Sequence, residues 1–204
     1  MAKEEMIIGG YAVVFNQKTL LWEHEGKKYY EIISPQSLKG VDLSDVVLRY
    51  NHNDNVMIMA GTKNKSLELT VDSIGLRFKA KLANTTAGRD LFEMVRTGLT
   101  NKMSFAFHRS EDRITVQGND TLIEITKFKK ILEISCVDFP AYPTTSCFII
   151  DSEVEDLRQE LNRKVELERE RESMRMKLAV AKSEEESKEA ERLRREIIRM
   201  GVTR

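Results

Sequence analysis

The chain has three histidines, so a histidine general base must be one of them. His24 lies in the charged stretch Trp22-Glu23-His24-Glu25-Gly26, whose hairpin-like composition places it at the surface. His108 ends the run Met103-Ser104-Phe105-Ala106-Phe107-His108, where strand alternation puts Met103, Phe105 and Phe107 on one face and Ser104, Ala106 and His108 on the other. At a strand rise of about 3.3 Å per residue, Ser104 and His108 would stand roughly 13 Å apart, outside the reach a base needs. His52 is left, in Leu48-Arg49-Tyr50-Asn51-His52-Asn53-Asp54, between two strand-like runs, where loops commonly carry reactive groups.

Ser104 has large apolar neighbours and the small Ala106 beside it on the same face. That setting suits a nucleophile approached closely by a substrate backbone, and equally a polar residue on a solvated face. Glu133 interrupts the apolar strand pattern Ile131-Leu132-Glu133-Ile134-Ser135-Cys136-Val137, and a buried carboxylate needs a partner. The partner is either the Nδ1 proton of a base histidine, as in a triad, or one of Lys127, Lys129 and Lys130, and the residues favour neither. Cys136 and Cys147 are too few for a disulfide framework or a four-ligand zinc site and are expected as buried thiols; no motif accompanies either as the nucleophile of a cysteine hydrolase.

These residues need elements to hold them. Nine short strands are expected, over residues 6–15, 29–33, 45–50, 56–61, 66–71, 76–82, 102–108, 122–125 and 130–137, with turn signals at Asn16-Gln17, Asp72-Ser73-Ile74-Gly75 and Gly118-Asn119-Asp120. That count predicts a mainly β (α+β) fold, a small closed antiparallel β-barrel with flanking helices, because closure removes exposed edges. One helix is expected between the cap candidates Asn84-Thr85-Thr86 and a stop at Gly98, with Leu91, Met94 and Val95 as its apolar stripe, and a short turn at Pro35-Gln36-Ser37-Leu38.

The composition changes near Asp151: 37 of residues 1–150 are charged against 29 of residues 151–204, and every aromatic and every proline precedes that point. Residues 1–150 are therefore expected to form the β domain and residues 151–204 a charged helical tail that cannot build a core of its own. Its apolar residues recur at helical spacing, Val154, Leu157, Leu161, Val165 and again Ala190, Leu193, Ile197, Met200. A formal net charge of zero gives no electrostatic ground for a nucleic-acid or anionic-membrane partner. Without a leader-like start or an apolar run of about eighteen residues, a cytoplasmic protein is expected.

Five segments taken together carry a resemblance: Gly10-Tyr11-Ala12-Val13-Val14-Phe15-Asn16; Asn51-His52-Asn53 with Ala60-Gly61-Thr62; Gly75-Leu76-Arg77-Phe78-Lys79-Ala80; Gly98-Leu99-Thr100-Asn101-Lys102-Met103-Ser104-Phe105-Ala106-Phe107; and Leu132-Glu133-Ile134-Ser135-Cys136-Val137-Asp138-Phe139-Pro140-Ala141-Tyr142-Pro143. In this order, over roughly residues 6–150, the chain resembles the prohead proteases of HK97-type tailed phages, which are related in fold to the herpesvirus assembly proteases. The resemblance implies Ser104 as nucleophile, His52 as general base and Glu133 as the carboxylate that holds it, with no cofactor and no metal. It implies as substrates the scaffolding segment of the major capsid protein and the protease itself, cut inside the procapsid in the host bacterial cytoplasm, and it is compatible with a homodimer. One departure is Ala106, where the family more often has glycine. The competing expectation is a non-enzymatic internal scaffold or assembly factor that acts through the helical tail.

Overall fold

A computed structural model of the protein describes residues 5–151 and, in the tail, residues 163, 164, 167, 170–178 and 195. The chain divides into two compact units, Met1–Ser152 and Glu153–Arg204. The described tail residues are helical and exposed; both apolar series expected there, from Val154 to Val165 and from Ala190 to Met200, lie outside the described residues. Among the described residues, no helix is long and apolar enough to cross a membrane.

Among its described residues the first unit has ten strands: β1 (Ile7–Val14), β2 (Thr19–His24), β3 (Lys27–Ile33), β4 (Val47–Tyr50), β5 (Ala60–Gly61), β6 (Leu67–Val71), β7 (Gly75–Lys81), β8 (Lys102–Gln117), β9 (Asp120–Val137) and β10 (Ser146–Ile149). One 3-10 turn, Pro35–Leu38, and one helix, α1 (Thr86–Arg96), complete it. The helix begins where expected, because the Thr85 hydroxyl accepts from the Gly88 N–H at 3.1 Å. It ends at Gly98, whose φ of 77° is the left-handed conformation that closes a helix most easily without a Cβ. Leu91 and Val95 are buried, and Met94 is half-buried.

The expected closed barrel is not what forms. The strands make two open sheets, one of four strands in the order β10-β1-β7-β6 and one of six in which β2-β3-β9-β4-β5 run in order and β8 lies on the other side of β9. The reason lies in β9: at 18 residues it is long enough for two shorter strands to share one of its edges. Lys28–Ile33 of β3 pair with Asp120–Ile125, and Val47–Tyr50 of β4 pair with Glu133–Cys136, both parallel to β9 and not antiparallel as the turn signals suggested. The other edge is covered by β8, so the expected strands over residues 122–125 and 130–137 are one strand, and the expected 102–108 strand is extended to Gln117.

Three further elements differ from expectation, the first being strand β2 over Thr19–His24, which was not anticipated and pairs antiparallel with β3. Residues 56–61 are strand only at Ala60–Gly61. Strand β10 was not anticipated; it pairs with β1, where Gly10 lies so close that a Cβ there would stand 2.0 Å from the Ser146 carbonyl oxygen. Apolar side chains of both sheets meet in one buried cluster that includes Ile8, Leu76 and Phe78 from the first and Leu48, Met103, Phe105, Phe128 and Ile134 from the second. Each such side chain removed from water contributes about 1.5–3 kcal/mol. The alternation read in 102–107 holds: Met103 and Phe105 are buried in this core, and Ser104 is presented on the other face of the sheet.

Candidate active site

The site lies where β4, β8 and β9 run side by side. Glu133 and Ser135 alternate outward on β9; Ser104 faces Ser135 and Ala106 faces Glu133 across the antiparallel ladder. On the opposite edge Val47 faces Glu133 and Arg49 faces Ser135. The chain then leaves β4 through Asn51 and His52, both left-handed, with φ of 50° and 54°. Asparagine and histidine are among the side-chain-bearing residues that enter this region most readily, and the two-residue reversal turns the imidazole back over the sheet.

The structure brings together all three residues that the resemblance singled out. His52 Nε2 is 2.9 Å from Ser104 Oγ, and His52 Nδ1 is hydrogen-bonded to Glu133 Oε1. Because an ionised carboxylate only accepts, Nδ1 carries the proton and Nε2 is free to accept from the Ser104 hydroxyl, the tautomer a general base requires. Ser104 and Glu133 are buried, whereas the His52 side chain is 41% exposed, so the pair opens to solvent on the imidazole side. The other two histidines are elsewhere: His24 is exposed beside Glu25, and His108 is exposed opposite Lys130 on the ladder.

Glu133 takes none of Lys127, Lys129 and Lys130 as its ion-pair partner. Lys127 pairs with Glu111 at 3.2 Å, while Glu133 Oε2 forms an ion pair with Arg49 Nε at 2.9 Å and Oε1 receives the Ser135 hydroxyl at 3.1 Å. Ser135 Oγ in turn accepts the His52 backbone N–H at 3.3 Å. Arg49 Nη1 also donates to the Asn53 carbonyl at 3.2 Å. Neither Arg49 nor Ser135 stood out in the sequence; the available signal was an arginine inside the strand Val47-Leu48-Arg49-Tyr50, on the face opposite the buried Leu48.

Two more groups brace the site. Asp138, just past β9, accepts from Tyr50 Oη at 2.7 Å, Asn51 Nδ2 at 2.8 Å and Thr100 Oγ1 at 3.2 Å, and its own N–H donates to Asn51 Oδ1 at 3.1 Å. The bonds from Asn51 and then Tyr50 hold its carboxyl below the usual aspartate range, with burial opposing. Next to Ser104, fully buried Thr145 clamps Met103, its hydroxyl accepting the Met103 N–H at 3.0 Å and lying 2.8 Å from the Met103 carbonyl.

The cysteines are 3.6 Å apart, Sγ to Sγ, and both are buried. The Cys136 thiol is pushed well up by its bond to Cys147 and by burial, which keeps it from the thiolate form that a cysteine nucleophile needs. Under the sheet, the Tyr142 hydroxyl donates to buried Glu31, and Tyr142 stacks on Phe105 at 5.5 Å between ring centroids. Burial pushes the Glu31 carboxyl up to about 7, Arg109 pulling it down and Asp112 adding to the rise.

A hydroxyl, an imidazole and a carboxylate in this sequence are the parts of a nucleophilic hydrolase. The chain belongs to the caudovirus prohead serine protease family, whose model matches residues 1–160. It is thus a phage capsid-maturation protease of the serine class. No curated protein and no solved structure matches the chain.

Proposed function

We propose that the protein is a serine endopeptidase in which Ser104 is the nucleophile, His52 the general base and Glu133 the group that orients the base. The observation that carries this reading is the unbroken relay from Ser104 Oγ to His52 Nε2 at 2.9 Å and from His52 Nδ1 to Glu133 Oε1. Ser104 Oγ attacks the scissile carbonyl as its proton passes to Nε2, and Glu133 stabilises the imidazolium that results. The imidazolium returns the proton to the leaving amine, which departs and leaves an acyl-serine. Water, deprotonated by the same imidazole, then releases the acid and restores the hydroxyl. The Ala106 methyl stands on the same face as Ser104, opposite Glu133 on the ladder.

The substrates in this reading are the scaffolding segment of the major capsid protein and the protease itself, cut inside the procapsid. Residues 1–150 form the protease domain, and residues 151–204 are a separable helical appendage that directs the enzyme to its assembly site. The compositional break at Asp151 supports this division. A fluorophosphonate probe is expected to label Ser104 in the full chain, and mass spectrometry of capsid protein after incubation is expected to show discrete cleavage in the scaffolding segment. An unlabelled serine together with intact capsid protein would instead indicate a scaffold or assembly factor. A chain ending at Ile150 is expected to fold and to cleave peptides but to fail to enter procapsids; an unfolded truncation would show that the tail belongs to the core.

A further inference from the structure

We propose that Arg49 is a positioning residue of this site, whose guanidinium locks the Glu133 carboxylate and the His52 loop to one another. The inference rests on the serine-protease reading above and adds a fourth side chain to it.

A glutamate carboxylate rotates easily, because its terminal torsion has broad minima, so a single bond to an imidazole does not fix its plane. Here both oxygens are engaged. Oε1 receives His52 Nδ1 and, at 3.1 Å, the Ser135 hydroxyl, while Oε2 is ion-paired with Arg49 Nε at 2.9 Å. The parallel register makes this reach short: Val47 is opposite Glu133 and Arg49 opposite Ser135, so the arginine projects from the neighbouring strand on the same face, one pleat along.

The other end of the same planar group donates through Nη1 to the carbonyl of Asn53, the residue after His52, at 3.2 Å. One rigid fork therefore spans the two things whose separation decides whether the base points at Ser104. The constraint matters because Asn51 and His52 both hold left-handed backbone, a conformation that persists only where the surroundings over-determine it. Arg49 and Glu133 are also unlike a surface pair, their side chains being only 20% and 11% exposed. The second ion pair of Arg49, with Asp54 at 3.2 Å, reaches a carboxylate that is 86% exposed and adds little. Lysine cannot substitute, since an ammonium on a flexible stem offers no fixed fork to two acceptors at once.

The test uses the full chain and three measurements on each variant: melting temperature, kcat and KM on a peptide substrate, and the rate of fluorophosphonate labelling at Ser104. Wild-type protein that is neither labelled nor active would overturn the serine-protease reading itself, before Arg49 is at issue. With wild type labelled, Arg49→Lys and Arg49→Met are each expected to lower kcat and the labelling rate about 10–100-fold per folded molecule, with KM within roughly threefold. Arg49→Met leaves Glu133 without its charge partner; should it not fold, Arg49→Lys, which keeps the charge, decides alone. A folded variant with a lowered melting temperature but kcat within about threefold of wild type would make Arg49 a structural ion pair and overturn the proposal. So would a raised KM with unchanged kcat, which would make it a substrate contact.

Discussion

The two ends of the β8–β9 ladder share a backbone pattern, each with a parallel strand on the far edge of β9, and differ in how deeply their side chains are buried. At the Ser104 end, Met103 to Phe105 are buried, β4 covers the far edge of β9 and Thr145 takes up the Met103 backbone groups. At the far end, Ile114 and Val116 are 60% and 66% exposed, and the cross-strand ion pair Arg113–Glu124, at 3.2 Å, is on the surface. Between them the register shifts repeatedly, from Ala106 to Asp112. Strand pairing alone therefore does not make a reactive site. Both ends have a parallel strand on the far edge of β9, but the end where Ser104, His52 and Glu133 meet is the buried one, where the loop after β4 and Thr145 add contacts from outside the ladder.

Removing the reactive atoms breaks the comparison most severely. Ser104→Ala and His52→Ala are each expected to reduce kcat by roughly 10⁶-fold, with the double variant little worse, because the pair acts as a unit. A folded single variant that cleaves peptide near the wild-type rate would remove that residue from the site. Glu133→Gln keeps the size and loses the charge, and a loss of order 10⁴ is expected. If Glu133 serves only to balance Arg49, the same variant will lose melting temperature and keep its activity per folded molecule.

A smaller effect concerns Glu31, beneath the ladder. Its folded-state value, raised from 4.5 to about 7, means that the folded protein binds this proton more tightly than the unfolded chain. The contribution is fully present below the unfolded value and is lost as pH rises through about 7. Glu31→Gln should cancel this slope: between pH 5 and pH 8 the wild type is expected to lose of order 1–3 kcal/mol relative to the variant, read from paired thermal melts. Parallel melting curves would show that Glu31 does not titrate in this window. The smallest change is expected at the far end, where Arg113→Ala should alter stability by less than about 0.5 kcal/mol and leave kcat unchanged. A substantial loss of activity there would erase the distinction between the two ends.

Part of the candidate site was readable from residue types, while Ser104 and Glu133 entered it only through the family resemblance. His52 could be separated from the other two histidines by position, the core face of 103–107 by alternation, and α1 by Thr85 and Gly98, since each of these signals is local. What escaped was non-local. The parallel seating of β3 and β4 along one edge of β9 leaves no mark on any of the three segments, and it is this seating that opens the expected barrel and delivers Arg49 to Glu133. The outer half of β8 and the stretch of β9 between the two expected strands were missed for another reason: the exposed residues Glu111 to Arg113 and Lys127 are under no demand for apolar alternation. The short strand β10 offers only four residues on which to read any period.

The shared edge of β9 also bears on how the protein is made. His52 and Ser104 are synthesised well before Glu133, and the strand that seats both of their elements is among the last of the sheet to be completed. Until β9 has left the ribosome, β4 lacks its parallel neighbour and β8 its ladder, so a nascent chain has no surface on which to orient the imidazole. Pairings that join Lys28 to Asp120 and Val47 to Glu133 are long-range closures, which form slowly and late. A candidate site wired in this way is expected to assemble only when the domain is complete.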